Sequence, residues 1–379
     1  LVRLCRSRPL ILFEAASPMS FAVFRPVYER LRRDPRLAFR WTAGGSAWSP
    51  REIFADAGID RREIITAERA AWLKPDLYIN TDFWDMTWLR RRTRRVHLFH
   101  GVAGKYGLDA PFDLAPTVAS FECLMFPNED RRRRYIDGGL LPDDEVKAAL
   151  VGYPKVDCLV DGSLDRAAVQ RRFGLDRRVP AVLYAPTWSP YSSLNRCGEQ
   201  IIERLAAEGW QVLVKLHDRS YDRRRGSGGI DWAARLARLE RHRSVHVVRD
   251  SDASPALVAA DLLVTDHSSI GFEFLLLDRP VVVIDCPELV AGAQINPEKV
   301  RQLHRAGTVV TEPGELVRVV AAELARPGRL SPERRRLAET MFYRPGTATD
   351  RAVALIYRLL DLDAPAAADV AARDLATVA

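Results

Sequence analysis

No apolar run in the sequence approaches the ~18 residues needed to span a bilayer, so an ordinary transmembrane helix is not expected. The five cysteines, Cys5, Cys123, Cys158, Cys197 and Cys286, are scattered and odd in number. None stands in a CxxC spacing or in a His/Cys cluster. That argues against a disulfide framework and a zinc motif, and for a reducing compartment. The two most basic stretches, Arg90–Arg95 and Arg131–Arg134, lack interleaved aromatics. They read as solvated faces or acidic-lipid contacts rather than specific nucleic-acid readers. Nothing resembles a helix-turn-helix, an RNA-recognition motif or a nuclease carboxylate cluster.

What is present fits a globular chain of two domains. The 379 residues exceed one ordinary core, and 47% apolar with 28% charged residues are globular values. Lys plus Arg number 57 against 50 acidic residues, a net charge of +7. Such a balance suits anionic partners: nucleotide-linked donors, polyphosphate polymers, anionic lipid or nucleic acid. Arg3, Arg6 and Arg8 before Leu10–Phe13 briefly mimic a signal peptide, but Glu14 cuts the apolar core short. Leu10–Phe13 is therefore read as the first strand.

Strands and helices alternate from there. Strands are expected at Leu37–Thr42, Leu77–Asn80, Arg95–Phe99, Phe121–Pro127 and Ala149–Val151, with a short one at Glu63–Ile65. Helices are expected at Ala22–Arg33, Ser49–Ala57 and Glu129–Gly138. The pattern restarts with helices at Asp165–Phe173, Gln200–Glu208, Asp231–Glu240 and Ser254–Ala260. Its strands fall at Ala181–Tyr184, Gln211–Leu216, Val245–Val248 and Thr308–Val310. A helix at Glu315–Leu324 and a last one at Thr349–Leu360 follow. Two doubly wound, Rossmann-like α/β domains are the simplest parse. The expected divisions are 1–160, 161–345, a closing helix in 346–362 and a flexible tail in 363–379. Two such domains would face across a cleft, with ligands at the carboxyl ends of strands.

The richest segment is Asp261–Asp285. An apolar run, Leu262–Val264, gives way to Thr265-Asp266-His267-Ser268-Ser269, then to Ile270–Leu277, then to Asp278-Arg279-Pro280 and the strand Val281–Ile284. Strand, polar turn, buried helix and strand make a parallel unit. Such a turn offers free N–H groups and two hydroxyls to a phosphate. Alternatively, the serines cap a core helix.

Other polar residues also follow strands. His100, before Gly101, stands where a general base would, and Lys105 lies nearby. His97 is read as structural. Thr187 and Trp188 follow Tyr184. Lys215 and His217 share one face of a strand, an arrangement that is costly when buried unless they meet an anion or carboxylate. Thr347 or Thr349 can cap the last helix. Arg351 in its first turn opposes the helix dipole, which a bound anion would offset.

In this order the motifs resemble the CDP-glycerol glycerophosphotransferase family of teichoic acid priming and polymerisation. They are His100-Gly101 with Lys105, Gly152-Tyr153-Pro154-Lys155-Val156-Asp157, Tyr184-Ala185-Pro186-Thr187-Trp188, Lys215-Leu216-His217, Thr265–Ser269 and Leu277-Asp278-Arg279-Pro280. The resemblance runs from about Phe13 to Arg351. It implies a GT-B fold, CDP-glycerol or a related CDP-alcohol as donor, and a lipid-linked or polysaccharide hydroxyl as acceptor, with release of CMP. It implies His100 as general base, and Lys215, His217, Ser268, Ser269 and Arg351 on the donor's phosphates. Thr187, Asp266 and Glu273 would complete the donor pocket. No metal or other cofactor is implied. A cytoplasmic enzyme, peripheral at the inner face of the membrane through its basic surface, is expected. Three departures stand out: His267 where the family usually has tyrosine, Asp218 where it has proline, and Ser189-Pro190 where an arginine follows the Trp188 position. They leave open a GT-B glycosyltransferase or nucleotide-sugar epimerase with another donor, and a non-catalytic relative.

Overall fold

In the computed structural model the described residues are 8–44, 48–54, 58–83, 86–104, 115–223 and 227–365. Lys105, the end of the helix expected at Ser49–Ala57 and residues 366–379 of the expected tail lie outside them. The chain forms two units. One comprises residues 1–102, 109–157 and 342–379, and the other 103–108 and 158–341.

The first unit is built on six parallel strands: β1 (Leu10–Glu14), β2 (Ala38–Thr42), β3 (Leu77–Asn80), β4 (Arg94–Leu98), β5 (Cys123–Phe126) and β6 (Ala148–Leu150). Their order is β2-β1-β3-β4-β5-β6. Strands β1, β3 and β5 are buried along their whole length, as in a parallel sheet with helices on both sides. Phe13 stacks on Trp41 across β1 and β2 at 4.4 Å. Of the segment expected as a strand at Glu63–Ile65, only an isolated bridge from Trp41 to Ile64 forms.

The second unit repeats the plan with β7 (Ala181–Tyr184), β8 (Gln211–Val214), β9 (Val245–Val247), β10 (Leu262–Thr265), β11 (Val281–Ile284) and β12 (Thr308–Val310). Its order is β12-β11-β10-β7-β8-β9, again all parallel. The winding direction reverses between β7 and β10. Loops leaving adjacent strands there diverge to opposite faces and open a crevice at the carboxyl ends, where ligands bind.

Helices differ from expectation mainly in extent. The helix expected at Gln200–Glu208 begins earlier and spans Ser193–Ala207, broken by a non-helical Cys197. Gly198 and Asn195 weaken helical propensity there, and packing overrides it. The run Ile270–Leu277 forms a short α-helix, Ile270–Phe274, continued by one 3-10 turn, Leu275–Leu277. Helices Pro297–Ala306 and Ser331–Met341 were not anticipated. The last helix, Ala348–Leu359, packs on the helix Pro18–Leu31 of the first unit. The Arg30 guanidinium meets Asp350 at 2.7 Å, and the Tyr357 hydroxyl donates to Asp34 at 2.7 Å.

Candidate functional site

In the second unit, the loops after β7 and β10 flank the switch point, and a buried carboxylate ties them together. Asp266 Oδ1 accepts the Thr187 N–H at 2.8 Å. Its Oδ2 accepts the Ser193 N–H at 3.1 Å and the Ser193 hydroxyl at 2.9 Å. Asp266 thus fixes the Thr187 loop and the start of the following helix. The Thr187 Oγ1 is buried with no hydrogen-bond partner. An unpaired buried hydroxyl costs about 1–3 kcal/mol.

Ser268 and Ser269 lie half-buried at the head of Ile270–Phe274. Ser269 occupies the cap position but makes no side-chain capping bond. Its hydroxyl is therefore not serving its own helix, which removes the capping reading for this residue. Glu273 follows one turn later and is buried.

The third loop of this unit follows β8. Lys215 is buried, and its Nζ donates to the Leu216 carbonyl at 2.6 Å. His217 caps the 3-10 turn Asp218–Tyr221 by accepting the Arg219 N–H at its Nδ1, 3.1 Å away. An accepting Nδ1 places the proton of the neutral ring on Nε2, which becomes a donor. The ring lies 6.0 Å from that of Trp188, and the Arg219 guanidinium sits over Trp188 at 4.8 Å. The cation missing after Trp188 in the sequence is thus supplied from a different loop. Sequence reading passed over Arg219 because only the fold brings it to Trp188.

The family-like Asp278-Arg279-Pro280 motif is structural. Asp278 adopts a left-handed φ of 49° and accepts from Ser331, Arg334 and Arg335. The Arg279 guanidinium donates to the Val258 and Ala260 carbonyls, and burial lowers its pKa to about 10.

In the first unit, His100 follows β4 with its side chain 46% exposed. Its Nδ1 lies 2.7 Å from the Thr81 carbonyl oxygen. A carbonyl only accepts, so Nδ1 carries the proton and Nε2 carries the lone pair. Asp82 Oδ1 stands 3.6 Å from the same Nδ1. The Tyr153 hydroxyl donates to the His100 carbonyl at 3.1 Å, so one motif positions another. Thr81 and Asp82 were missed from sequence, although they follow strand β3 as the other candidates follow their strands. Behind His100, the buried His97 bonds Asn80 at 3.0 Å and stacks on Phe83. Burial and the nearby Arg131 charge hold it well below the usual histidine range.

Arg351 lies at the start of the last helix. It belongs to the first unit and is fully buried. It donates to the Val151, Tyr343 and Arg344 carbonyls and to the Thr347 hydroxyl, at 2.7–3.1 Å. The anion at its helix start is internal. The Asp157 carboxylate accepts N–H groups of Gly346, Ala348 and Thr349 at 2.7–3.2 Å. Thr347 makes no side-chain capping bond. Gly152 is required beside this network: its φ is +91°, and a Cβ would lie 2.6 Å from the Tyr343 carbonyl oxygen.

The structure therefore gathers Thr187, Asp266, Ser268, Ser269, Glu273, Lys215 and His217 in the second unit, around strand ends β7, β8 and β10. It places His100 and Arg351 in the first.

Known proteins are similar to this chain in sequence and fold. Residues 7–358 match the family described as "CDP-Glycerol:Poly(glycerophosphate) glycerophosphotransferase". A teichoic acid glycerol-phosphate primase of Bacillus subtilis is 31% identical over 212 residues, 51% of this chain and 50% of the primase. The matched stretch thus spans about half the length of that relative. A solved structure of a histidine-to-asparagine variant of the wall teichoic acid polymerase TagF superposes with a TM-score of 0.70 at 16% identity. It covers 94% of this chain and 90% of that one. The Staphylococcus aureus MnaA–UDP co-structure gives 0.59 at 14% identity, over 94% and 98% of the two chains. These two likenesses establish the GT-B-type fold.

Proposed function

The chain belongs to the CDP-glycerol:poly(glycerophosphate) glycerophosphotransferase family, and from that premise we propose that it transfers glycerol phosphate from CDP-glycerol to a hydroxyl of a lipid-linked or cell-surface polysaccharide acceptor, releasing CMP. The observation that carries this reading is the tautomer of His100. With Nδ1–H held by the Thr81 carbonyl, the exposed ring presents an Nε2 lone pair, as a general base must.

The reaction has an acceptor side and a donor side. On the first, Nε2 of His100 removes the proton of the acceptor hydroxyl as its oxygen attacks the glycerol-bearing phosphorus. The bond from that phosphorus to the CMP oxygen breaks, and CMP leaves with the electron pair. The imidazolium so formed is stabilised by Asp82. In the second unit, the Ser268-Ser269 turn, the His217 Nε2–H and the Lys215 ammonium bind the pyrophosphate, while Trp188 and Arg219 border the donor. Phosphoryl transfer needs positioning and charge neutralisation more than covalent help, which suits donors fixed on strand ends.

Among the described residues no helix is long and apolar enough to cross a membrane. A net charge of +7 offers an anionic lipid surface, where a lipid-linked acceptor would reside, a favourable electrostatic contact.

The test is nucleotide release by the purified protein with lipid-linked acceptor, offered CDP-glycerol, CDP-ribitol and UDP-sugars in parallel. Acceptor-dependent CMP release from CDP-glycerol is expected. His100→Ala should lower turnover about 10²–10⁴-fold while sparing CDP-glycerol binding. Turnover of UDP-sugars with CDP-alcohols inert would sink the donor assignment, and undiminished turnover in His100→Ala would remove the base.

A further inference from the structure

His267 departs from the tyrosine usual in the family, and its surroundings give the departure a chemical meaning. It leaves the turn after β10 and is buried against the end of β11. Its Nε2 accepts the Cys286 N–H at 3.3 Å, which fixes that nitrogen as the lone-pair side of the ring. The same Nε2 lies 3.6 Å from Asp285 Oδ1. A third group, His304 on the helix Pro297–Ala306, completes a cluster whose ligand atoms all lie within 4.8 Å of one another. The two imidazole rings are 5.4 Å apart.

As a hydrogen-bonded brace this cluster is poor. A separation of 3.6 Å is too long for a hydrogen bond. The His304 Nε2 is buried with no hydrogen-bond partner. As a metal site it is close to built. Ligand bonds of ~2.1 Å in a tetrahedral arrangement put neighbouring donor atoms ~3.4 Å apart. Arg196 does not pair with the Asp285 carboxylate: it donates to the Asp285 carbonyl at 2.9 Å and faces Glu288 at 3.8 Å.

We propose that His267, Asp285 and His304 form a binding site for one divalent first-row transition ion. Two neutral imidazoles and one carboxylate suit Zn²⁺ and its neighbours rather than Mg²⁺ or Ca²⁺, which prefer oxygen. A bound ion would take the His267 Nε2 lone pair from the Cys286 N–H, which bonds it at 3.3 Å, and would staple three elements, the turn that carries Ser268 and Ser269, the end of β11 and the helix Pro297–Ala306. The sequence conceals the site because its ligands stand 18 and 19 positions apart, with no short spacing to mark them. This inference does not depend on the transferase reading.

Tag-free, chelator-stripped protein titrated with Co²⁺ tests it. The expected result is visible d–d absorption that saturates at one ion per chain, is quenched by Zn²⁺, and accompanies a rise in Tm. His304→Ala and the near-isosteric Asp285→Asn should each weaken binding at least ~10²-fold. Circular dichroism shows which variant is folded, and Asp285→Asn alone decides if His304→Ala is not. No absorption and no Tm shift in the parent protein would overturn the proposal, as would unchanged binding in a folded variant.

Discussion

Two helix starts in this protein offer backbone N–H groups of the kind that hold anions, and the chain treats them oppositely. At Ala348 in the first unit, the Asp157 carboxylate accepts three of them. At Ile270 in the second unit, the cap residue Ser269 makes no capping bond, and the turn is lined by hydroxyls. From sequence both look like phosphate seats, since both join a polar turn to an apolar helix. The difference lies in whether the chain supplies its own anion. Where it does, the start is part of the scaffold, and its arginine braces main-chain carbonyls. Where it does not, the Gly271 and Phe272 N–H groups bond back to the Ser268 and Ser269 carbonyls, and the Ser269 hydroxyl makes no bond to its helix.

The largest effect expected from breaking this contrast is on the filled start. Asp157→Asn keeps the shape but presents an NH₂ group to N–H donors, and should destabilise the protein by about 2–4 kcal/mol in urea unfolding. The pH dependence sharpens the point. Burial pushes the Asp157 carboxyl above its ordinary value, its N–H bonds offsetting this only in part. The folded state therefore holds this proton more tightly than the unfolded one. Its contribution is full below the ordinary carboxylate range and declines as pH rises through the folded value. Asp157→Asn should abolish that slope. A variant as stable as the parent, with the slope intact, would mean that the carboxylate is not the cap.

The open start should respond in the other observable. Ser268→Ala and Ser269→Ala are expected to weaken CDP-glycerol binding about tenfold each, the value of one hydrogen bond to a charged group. Stability should change by less than about 0.5 kcal/mol. A loss of stability with unaltered donor affinity would return these serines to the capping role and remove the distinction between the two starts.

The same contrast explains what was legible in the sequence. Buried parallel strands such as Val281–Ile284 are apolar on both faces, and they announce themselves along with the winding of both units. So do polar residues directly after strands, His100 and Thr187 among them. Arg351 bonds the Val151 carbonyl from 200 positions away, and nothing local in the sequence marks that contact. Arg219 was missed for the converse reason: its position over Trp188 exists only once β7 and β8 are paired. The helix Ser331–Met341 was hidden by a charged run of one glutamate and three arginines, Glu333 to Arg336. Its buried Arg334, bonded to Asp278, does work that apolar periodicity does not record.

His217 stands between the two extremes and gives the smallest and most discriminating effect. One ring nitrogen serves the scaffold by capping Asp218–Tyr221, and this fixes the other as an N–H donor for a ligand. Alanine removes both roles, so His217→Ala should lose about 1 kcal/mol of stability, the worth of a cap, together with donor affinity. Asparagine separates them. Its side-chain oxygen can still accept the Arg219 N–H, while its shorter reach leaves the ligand side empty. His217→Asn should therefore unfold with the parent protein and bind CDP-glycerol several-fold more weakly, by about 1 kcal/mol. Equal losses of stability in both variants, with donor affinity intact, would assign His217 wholly to the scaffold. The open group of residues in the second unit would then shrink to the turn after β10 and its neighbours after β7.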